Sequence, residues 1–359
     1  MRRYKLSHQE SKRPGGSPQP LFVGIDLHRL RWHITIRTED IELFSGAIPG
    51  QWEALKRLLE RYPGYKIQAV YEAGYFGFWL HDQLEEFGTR CIVTPPSLIP
   101  HDYGNHVKTD RKDSRKLAHL LAKGLLKEVW VPSEDERCHR QVIRRRRQLI
   151  GDRVRTQNRI KAELRFFGIE IPEPTGRWSQ QYLVNLRRVR LHDRWLQESF
   201  RHLLELYDFL SEQIKKQTKL LTELADLPYY KERIAILRTV PGIGLIAGME
   251  LLLELQDVAC FRRADQLAAY VGLTPSQYSS ADKVRMGRIT AIGKNQLRGT
   301  LVEVAWRLIG KDRAMRRKYE RIKVRSGSKR AIIAIARMTL LRTRRMLLDG
   351  TPYVLGRAA

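Results

Sequence analysis

Between Leu21 and Pro95 short β-branched runs alternate with helical spacing, and from about residue 136 onward no such run recurs. That switch restricts the fold more than any other property of the chain. LFVGID, WHITIR and IELFSG follow one another closely. After them come a helical stretch through Trp52, Leu55, Leu58 and Leu59, the strand KIQAVYE, a helix through Phe78, Leu80 and Leu84, and the strand RCIVTP. Three strands followed by β–α alternation predict an α/β layer on a mixed sheet over 21–135. KTDRKDSRKLAHLLAKGLL adds a helix whose apolar face is Leu117, Leu120, Leu121 and Leu125.

Beyond 136 the chain is expected to be all-α. RQVIRRRRQLIGDRVRTQNRIKAELRFFG has the pattern of a basic helix that ends at IPEP. In the next long helix Leu196, Phe200, Leu203, Tyr207, Leu210, Ile214, Gln217, Leu221 and Leu224 fall at alternating spacings of four and three, the seam of a coiled coil. Such a seam joins subunits or packs inside one; the first is the expectation, so 136–228 is assigned to coiled-coil dimerisation. Pro228 opens a third region, 229–349, mostly helical with one polar loop near 274–290. Residues 1–20 form a basic arm, and 350–359 a tail.

The sequence of 359 residues holds 66 Lys and Arg against 39 Asp and Glu, a formal charge of +27. That excess repels itself in a folded protein, and a polyphosphate relieves it by neutralisation and counterion release. Nucleic acid is the expected partner. No apolar run approaches the ~20 residues of a membrane span, so no membrane anchor is expected, nor a signal segment. Cys91, Cys138 and Cys260 are odd in number and far apart, which predicts reduced thiols in a cytoplasmic protein.

Four acids stand out against this basic background. Asp26 ends the first apolar run, with Gly24 two residues earlier allowing a close backbone approach; Glu72 ends KIQAVYE; Asp110 and Asp113 lie one helical turn apart. Taken singly, an acid in a first helical turn is a dipole partner and an Asp closing a strand is a turn former. Taken together, carboxylates at strand ends and on a following helix are how a fold gathers hard oxygen ligands for a divalent cation. Two such ions about 4 Å apart correct both faults of a phosphodiester, its repulsion of the nucleophile and its poor leaving oxygen.

YVGLTPSQYSSADKVRMGRITAIGKNQLR places Ser276, Ser279 and Ser280 in a loop beside Lys283, Arg285, Arg288, Lys294 and Arg298, a cationic surround suited to a phosphate. By composition alone a Ser-Ser pair is a turn element, and a hydroxyl attacks only if its proton is taken. TVPGIG offers Gly242 and Gly244 as a phosphate-facing turn or, equally, as a helix cap.

LFVGID, YEAGYFGFWL and KTDRKDSRKLAHLLAKG, with GLTPSQYSS and MGRITAIGKNQLR, resemble the bacterial insertion-sequence transposases that join a RuvC-like DEDD domain to a serine-bearing domain. The resemblance spans roughly 21–349. It implies a ribonuclease-H-like sheet, Mg²⁺ or Mn²⁺ held by Asp26, Glu72, Asp110 and Asp113, and a phosphoserine link to DNA through Ser280, with Ser279 its nearest rival. It also implies a structured bridge RNA that pairs with donor and target DNA. Ala281 stands where the family carries glycine, and its methyl group restricts positive φ. The composite reaction calls for a homo-oligomer, dimer or tetramer, with Arg285, Arg288, Lys294 and Arg298 gripping phosphates. Two other functions fit the same residues: a junction-resolving nuclease that uses water and leaves no adduct, and a non-catalytic nucleic-acid-binding protein that cuts nothing.

Overall fold

The computed structural model describes residues 19–100, 110–170, 178–280, 283–289 and 293–356, with backbone alone at 110, 278–280 and 283–286. The chain divides into two compact units, with the boundary between Val131 and Pro132.

In the first unit β1 (Pro20–Leu27), β2 (Arg31–Arg37) and β3 (Glu42–Pro49) form an antiparallel meander. Next come α1 (Trp52–Leu59), β4 (Lys66–Glu72), α2 (Trp79–Glu86), β5 (Arg90–Thr94) and α3 (Asp110–Ala122). The sheet order is β3-β2-β1-β4-β5, with β1 parallel to β4 and β4 parallel to β5. Alternation sends the side chains of the inner strands to two covered faces, while the edge strand β3 buries none fully. Leu21, Val23 and Ile25 of β1 join Ala69 and Tyr71 of β4 in a core closed by Leu55, Leu58 and Leu59 of α1 and Leu80 and Leu84 of α2. Phe22 and Val70 point the other way, into a second core with Leu117, Leu120 and Leu121 of α3. Leu125, expected on that apolar face, lies past the helix and is exposed. Gly124, at φ +64, is the left-handed residue that ends the helix before it.

The second unit is built around α4 (Glu134–Phe166), a helix of about 50 Å at 1.5 Å per residue. Its start is fixed by a capping box, in which Ser133 accepts from the Glu136 N–H while the Glu136 carboxylate accepts from the Ser133 N–H. The IPEP break lies partly outside the described residues. Then follow α5 (Gln180–Arg188), which the sequence pattern did not reveal, and α6 (Arg194–Ala225). Much of the seam read along α6 packs within the chain. Phe200, Leu204 and Tyr207 share a core with Ile160 and Leu164 of α4 and with Tyr182, Leu183 and Leu186 of α5, and Leu221 and Ala225 meet Ile143 of α4. Heptad spacing alone does not specify whose helix fills the groove. Here a tethered partner on the same chain does so, as in a helical hairpin.

The rest is α7 (Pro228–Arg238), α8 (Leu245–Leu255), α9 (Ala264–Val271), β6 (Pro275–Ser280), β7 (Lys283–Ile289), α10 (Asn295–Lys311), α11 (Arg313–Ser326) and α12 (Ser328–Asp349). Leu251, Leu252 and Leu255 of α8, Leu301 and Leu308 of α10 and Ile335 and Leu340 of α12 form one continuous core. The expected polar loop near 274–290 is instead a two-stranded antiparallel ribbon, β6 on β7. No described helix is long and apolar enough to cross a membrane.

Candidate active site

Strand register places the first two acids. Ile25 of β1 stands beside Tyr71 of the parallel β4, so the next residues, Asp26 and Glu72, are neighbours on adjacent strands about 5 Å apart. Both belong to the sheet face that carries Phe22, Gly24 and Val70, which is the face α3 covers. Across β1, His33 pairs with Asp26 and Thr35 with Gly24 on β2.

The direction of α3 follows from its contacts. His119, late in the helix, bonds Arg37, the partner of Phe22. Ser114, early in the helix, lies within 2.9 Å of both Thr35 Oγ1 and His33 Nδ1. The helix therefore runs antiparallel to β1, and its first turn, with Asp110 and Asp113, faces the strand end that bears Asp26. All four acids sit at one end of one sheet face. The Asp110 side chain lies outside the described residues, and among the described residues no three His, Cys, Asp or Glu side chains stand close enough to hold a metal ion. The carboxylates nevertheless fit a divalent ion by donor type and place: hard oxygen ligands on adjacent strands and one helical turn. Asp26 is half-buried with its Oδ2 3.3 Å from His28 Nε2, Asp113 is half-buried, and Glu72 is exposed. Glu85 accepts a bond from the Cys91 N–H at 2.6 Å.

Gly24 permits this arrangement. A Cβ there would enter the van der Waals shells of the Ser114 carbonyl oxygen and the Ala118 nitrogen, both backbone atoms of α3. The close approach expected at this glycine is thus made by the helix carrying two of the acids. Gly24→Val is expected to lift α3 off the sheet, costing more than about 3 kcal/mol. Denaturant unfolding measures the loss, and wild-type stability in the variant would refute the tight seat. Ion pairs at the rim add little: the Glu42 carboxylate takes two bonds from Arg115, at 2.6 and 2.7 Å, which hold its pKa below the usual range, but both groups are partly exposed.

The serines lie in the second unit. Ser279 pairs with Val284 and Ser280 with Lys283, so both close the β6–β7 ribbon at its tip, while Ala281 falls outside the described residues. Ser276 sits at the base, where its hydroxyl donates to the Arg288 carbonyl at 3.2 Å and packs against Gly287. Gly244 caps α8, and Gly242, at φ +99, turns the chain against Val304 and Arg307 of α10.

Of the four expected phosphate contacts, Arg288 is exposed and the Arg285 side chain lies outside the described residues. Lys294 and Arg298 are half-buried and have partners within the fold. The Lys294 ammonium reaches Glu254 at 3.4 Å above the Tyr270 ring, and Arg298 donates to the Gly272 carbonyl at 3.1 Å and to Asn295 at 2.6 Å. An acid of a pair that the sequence pattern did not reveal accounts for the placement of Lys294. Glu250 and Glu254 are buried one turn apart on α8, an otherwise apolar helix. Glu254 takes two bonds from Arg144 of α4, at 2.9 and 3.0 Å; Glu250 takes bonds from Arg147 and, at 3.0 Å, from Thr300. Burial raises both carboxyl pKa values. Only at Glu254 do the Arg144 bonds and the Lys294 charge outweigh it and pull the pKa below the ordinary value, whereas Glu250 stays raised. The signal was present in two acids four residues apart among leucines, opposite the run Arg144 to Arg147.

A five-stranded sheet of order 3-2-1-4-5, antiparallel on one side and parallel on the other, with acids at the carboxyl end of its central strands, is a ribonuclease-H-like catalytic unit. Residues 23–169 match a profile of DEDD transposases of the IS110 type, and residues 234–320 match one described as Transposase IS116/IS110/IS902 family. Over 336 residues, 91% of this chain and 81% of the other, the sequence is 31% identical to transposase y4qE of Sinorhizobium fredii. It is 27% identical to the transposase for insertion sequence element IS1533 of Leptospira borgpetersenii, over 66% of this chain and 70% of that one. The transposase for IS1111A of Coxiella burnetii is 22% identical over 68% of this chain and 67% of its own. The chain belongs to the IS116/IS110/IS902 family of transposases. Enzymes of this class cleave and rejoin DNA, and their DEDD domains use divalent metal ions.

Proposed function

We propose that Asp26, Glu72, Asp110 and Asp113 bind Mg²⁺, replaceable by Mn²⁺, and that Ser280 is the nucleophile that breaks the DNA strand. What carries the metal assignment is the register that sets Asp26 beside Glu72 under the acid-bearing turn of α3. A divalent ion bound there supplies charge for the phosphate oxygens and the departing sugar oxygen. The chain's own residues do the rest. The Ser280 oxygen forms an ester bond to phosphorus as the bond from phosphorus to the sugar oxygen breaks, and the serine proton ends on that sugar oxygen. Attack by a hydroxyl of the receiving strand reverses the step, so one phosphodiester is exchanged for another without external energy. Ser280 rather than Ser279 is assigned from the resemblance of GLTPSQYSS to the family's serine block.

The formal charge of +27 fits a polyanionic partner, and the resemblance to the family implies that a structured bridge RNA is one. The reaction calls for a dimer or tetramer; α6 packs much of its seam within the chain, while Leu206, Phe209 and Leu220 on the same helix stay exposed.

The test is cutting of plasmid DNA carrying the insertion sequence's own ends. Cutting should be absent in chelator and restored by Mg²⁺; no cutting at any Mg²⁺ concentration would leave a nucleic-acid binder. Sequencing the nucleic acid that copurifies should return one structured RNA, and recombination by RNA-free protein would remove the guide from the proposal.

A further inference from the structure

The turn after Glu72 holds an aromatic ring in solvent beside the acids, and the steps above give it no task. Tyr75 is 90% exposed, and its ring meets that of the adjacent Phe76 in a T-shaped contact with centroids 5.3 Å apart. Its backbone is firmly held. The Ala73 N–H donates to the Thr94 carbonyl at 2.8 Å, the Gly77 N–H to the Gly74 carbonyl at 3.1 Å, and the buried Tyr71 hydroxyl to the Gly77 carbonyl at 2.9 Å. A side chain displayed on a fixed turn has little freedom left to lose on binding, and tyrosine has only two torsions to order.

The surroundings point to what it binds. The loops after β1 and β5 leave the sheet at the same end and carry Leu30, 73% exposed, and Leu98, 49% exposed. Trp79, at the start of α2, is 43% exposed and leans on buried Trp32. Apolar side chains scattered singly on a surface need no explanation. Here Tyr75, Leu30 and Leu98 rim the strand ends that bear Asp26 and Glu72, whereas Trp79 leans on the core of the opposite sheet face. A phosphate at those acids would bring the base of the same nucleotide, or of its neighbour, to the rim. Arg29 and Arg31, exposed on either side of Leu30, favour a polyanion there over an apolar protein segment.

We propose that Tyr75 stacks on an unpaired nucleobase of the DNA strand being cut, next to the phosphate held at the acids. The inference rests on the metal-dependent cutting proposed above. Stacking requires a base whose face is free, so the strand enters the site locally unpaired. Every base offers such a face, so the contact tolerates any sequence, which suits an enzyme whose choice of site is made elsewhere.

The probe is single-stranded DNA carrying 5-iodouracil in place of every thymine, bound to full-length Ser280→Ala protein in Mg²⁺ and irradiated with long-wavelength light. Peptide mapping should find an adduct on Tyr75. Tyr75→Ala should lose that adduct and weaken binding of a gapped duplex by about ten-fold, and Tyr75→Trp should restore both. The salt dependence of binding should keep its slope, because no phosphate contact is removed. Adducts elsewhere but none on Tyr75, an adduct with iodouracil RNA alone, undiminished affinity in Tyr75→Ala, or a shallower salt slope would each overturn the inference. Cutting by the wild-type protein is scored separately: an active enzyme without the Tyr75 adduct refutes the stacking alone, and the adduct in a protein that never cuts refutes the metal site alone.

Discussion

Ser280→Ala should abolish the denaturation-resistant protein–DNA adduct, with strand exchange falling by roughly four orders of magnitude or more, while DNA stays bound. The expected size follows from the proposed role: a nucleophile that forms the covalent bond has no substitute among its neighbours, and removing one commonly costs on the order of a million-fold. Ser279 and Ser280 are successive residues at the ribbon tip, paired with Val284 and Lys283. On the assignment of Ser280, Ser279→Ala should keep the adduct. Ser276→Ala loses only the bond to the Arg288 carbonyl at the ribbon base, worth about 1 kcal/mol, and should keep it as well. Gel electrophoresis of the three variants after detergent treatment reads the outcome directly. An undiminished adduct in Ser280→Ala would move the nucleophile elsewhere, and loss in Ser279→Ala alone would move it by one residue.

The sheet was legible because its strands are covered on both faces and written in β-branched residues. LFVGID, WHITIR, KIQAVYE and RCIVTP all fall on observed strands. The four acids were legible by their places at strand ends and at a helix start, since period and capping fix those places without tertiary information. What escaped depended on partners distant in sequence. The Leu196 to Leu224 seam was visible, but its occupant was not, because α4 and a second subunit would satisfy the same leucines. The ribbon over 275–289 escaped because a short polar stretch has too little apolar alternation to declare itself. Lys294 and Arg298 read in the sequence as phosphate contacts, and a cation in sequence carries no mark of the partners it has in the fold. Only the fold brings Lys294 to Glu254 and Arg298 to the Gly272 carbonyl. Arg288 alone among the described members of that set remains exposed, and α11 supplies further exposed cations, among them Arg313, Arg316, Arg317 and Arg321.

Asp26→Asn should lower metal-dependent cutting by about a thousand-fold, which corresponds to about 4 kcal/mol of barrier, and leave salt-sensitive DNA binding unchanged or slightly tighter. The amide keeps the shape of the carboxylate and removes its charge, so loss of activity without loss of stability isolates the electrostatic role. Binding survives because the affinity comes from the surrounding cations, and one fewer negative charge near the phosphate reduces repulsion. Glu72→Gln should give a similar loss, and the double variant little more than either single one, since ligands of one ion act as a unit. Glu42→Gln is the control. That acid lies on the neighbouring edge strand beside α3 but is saturated by Arg115, so its neutralisation should leave cutting within a few-fold of wild type. Wild-type cutting by Asp26→Asn would separate the acids from the reaction. Equal losses from Glu42→Gln and Asp26→Asn would assign both to the seating of α3 and not to a metal.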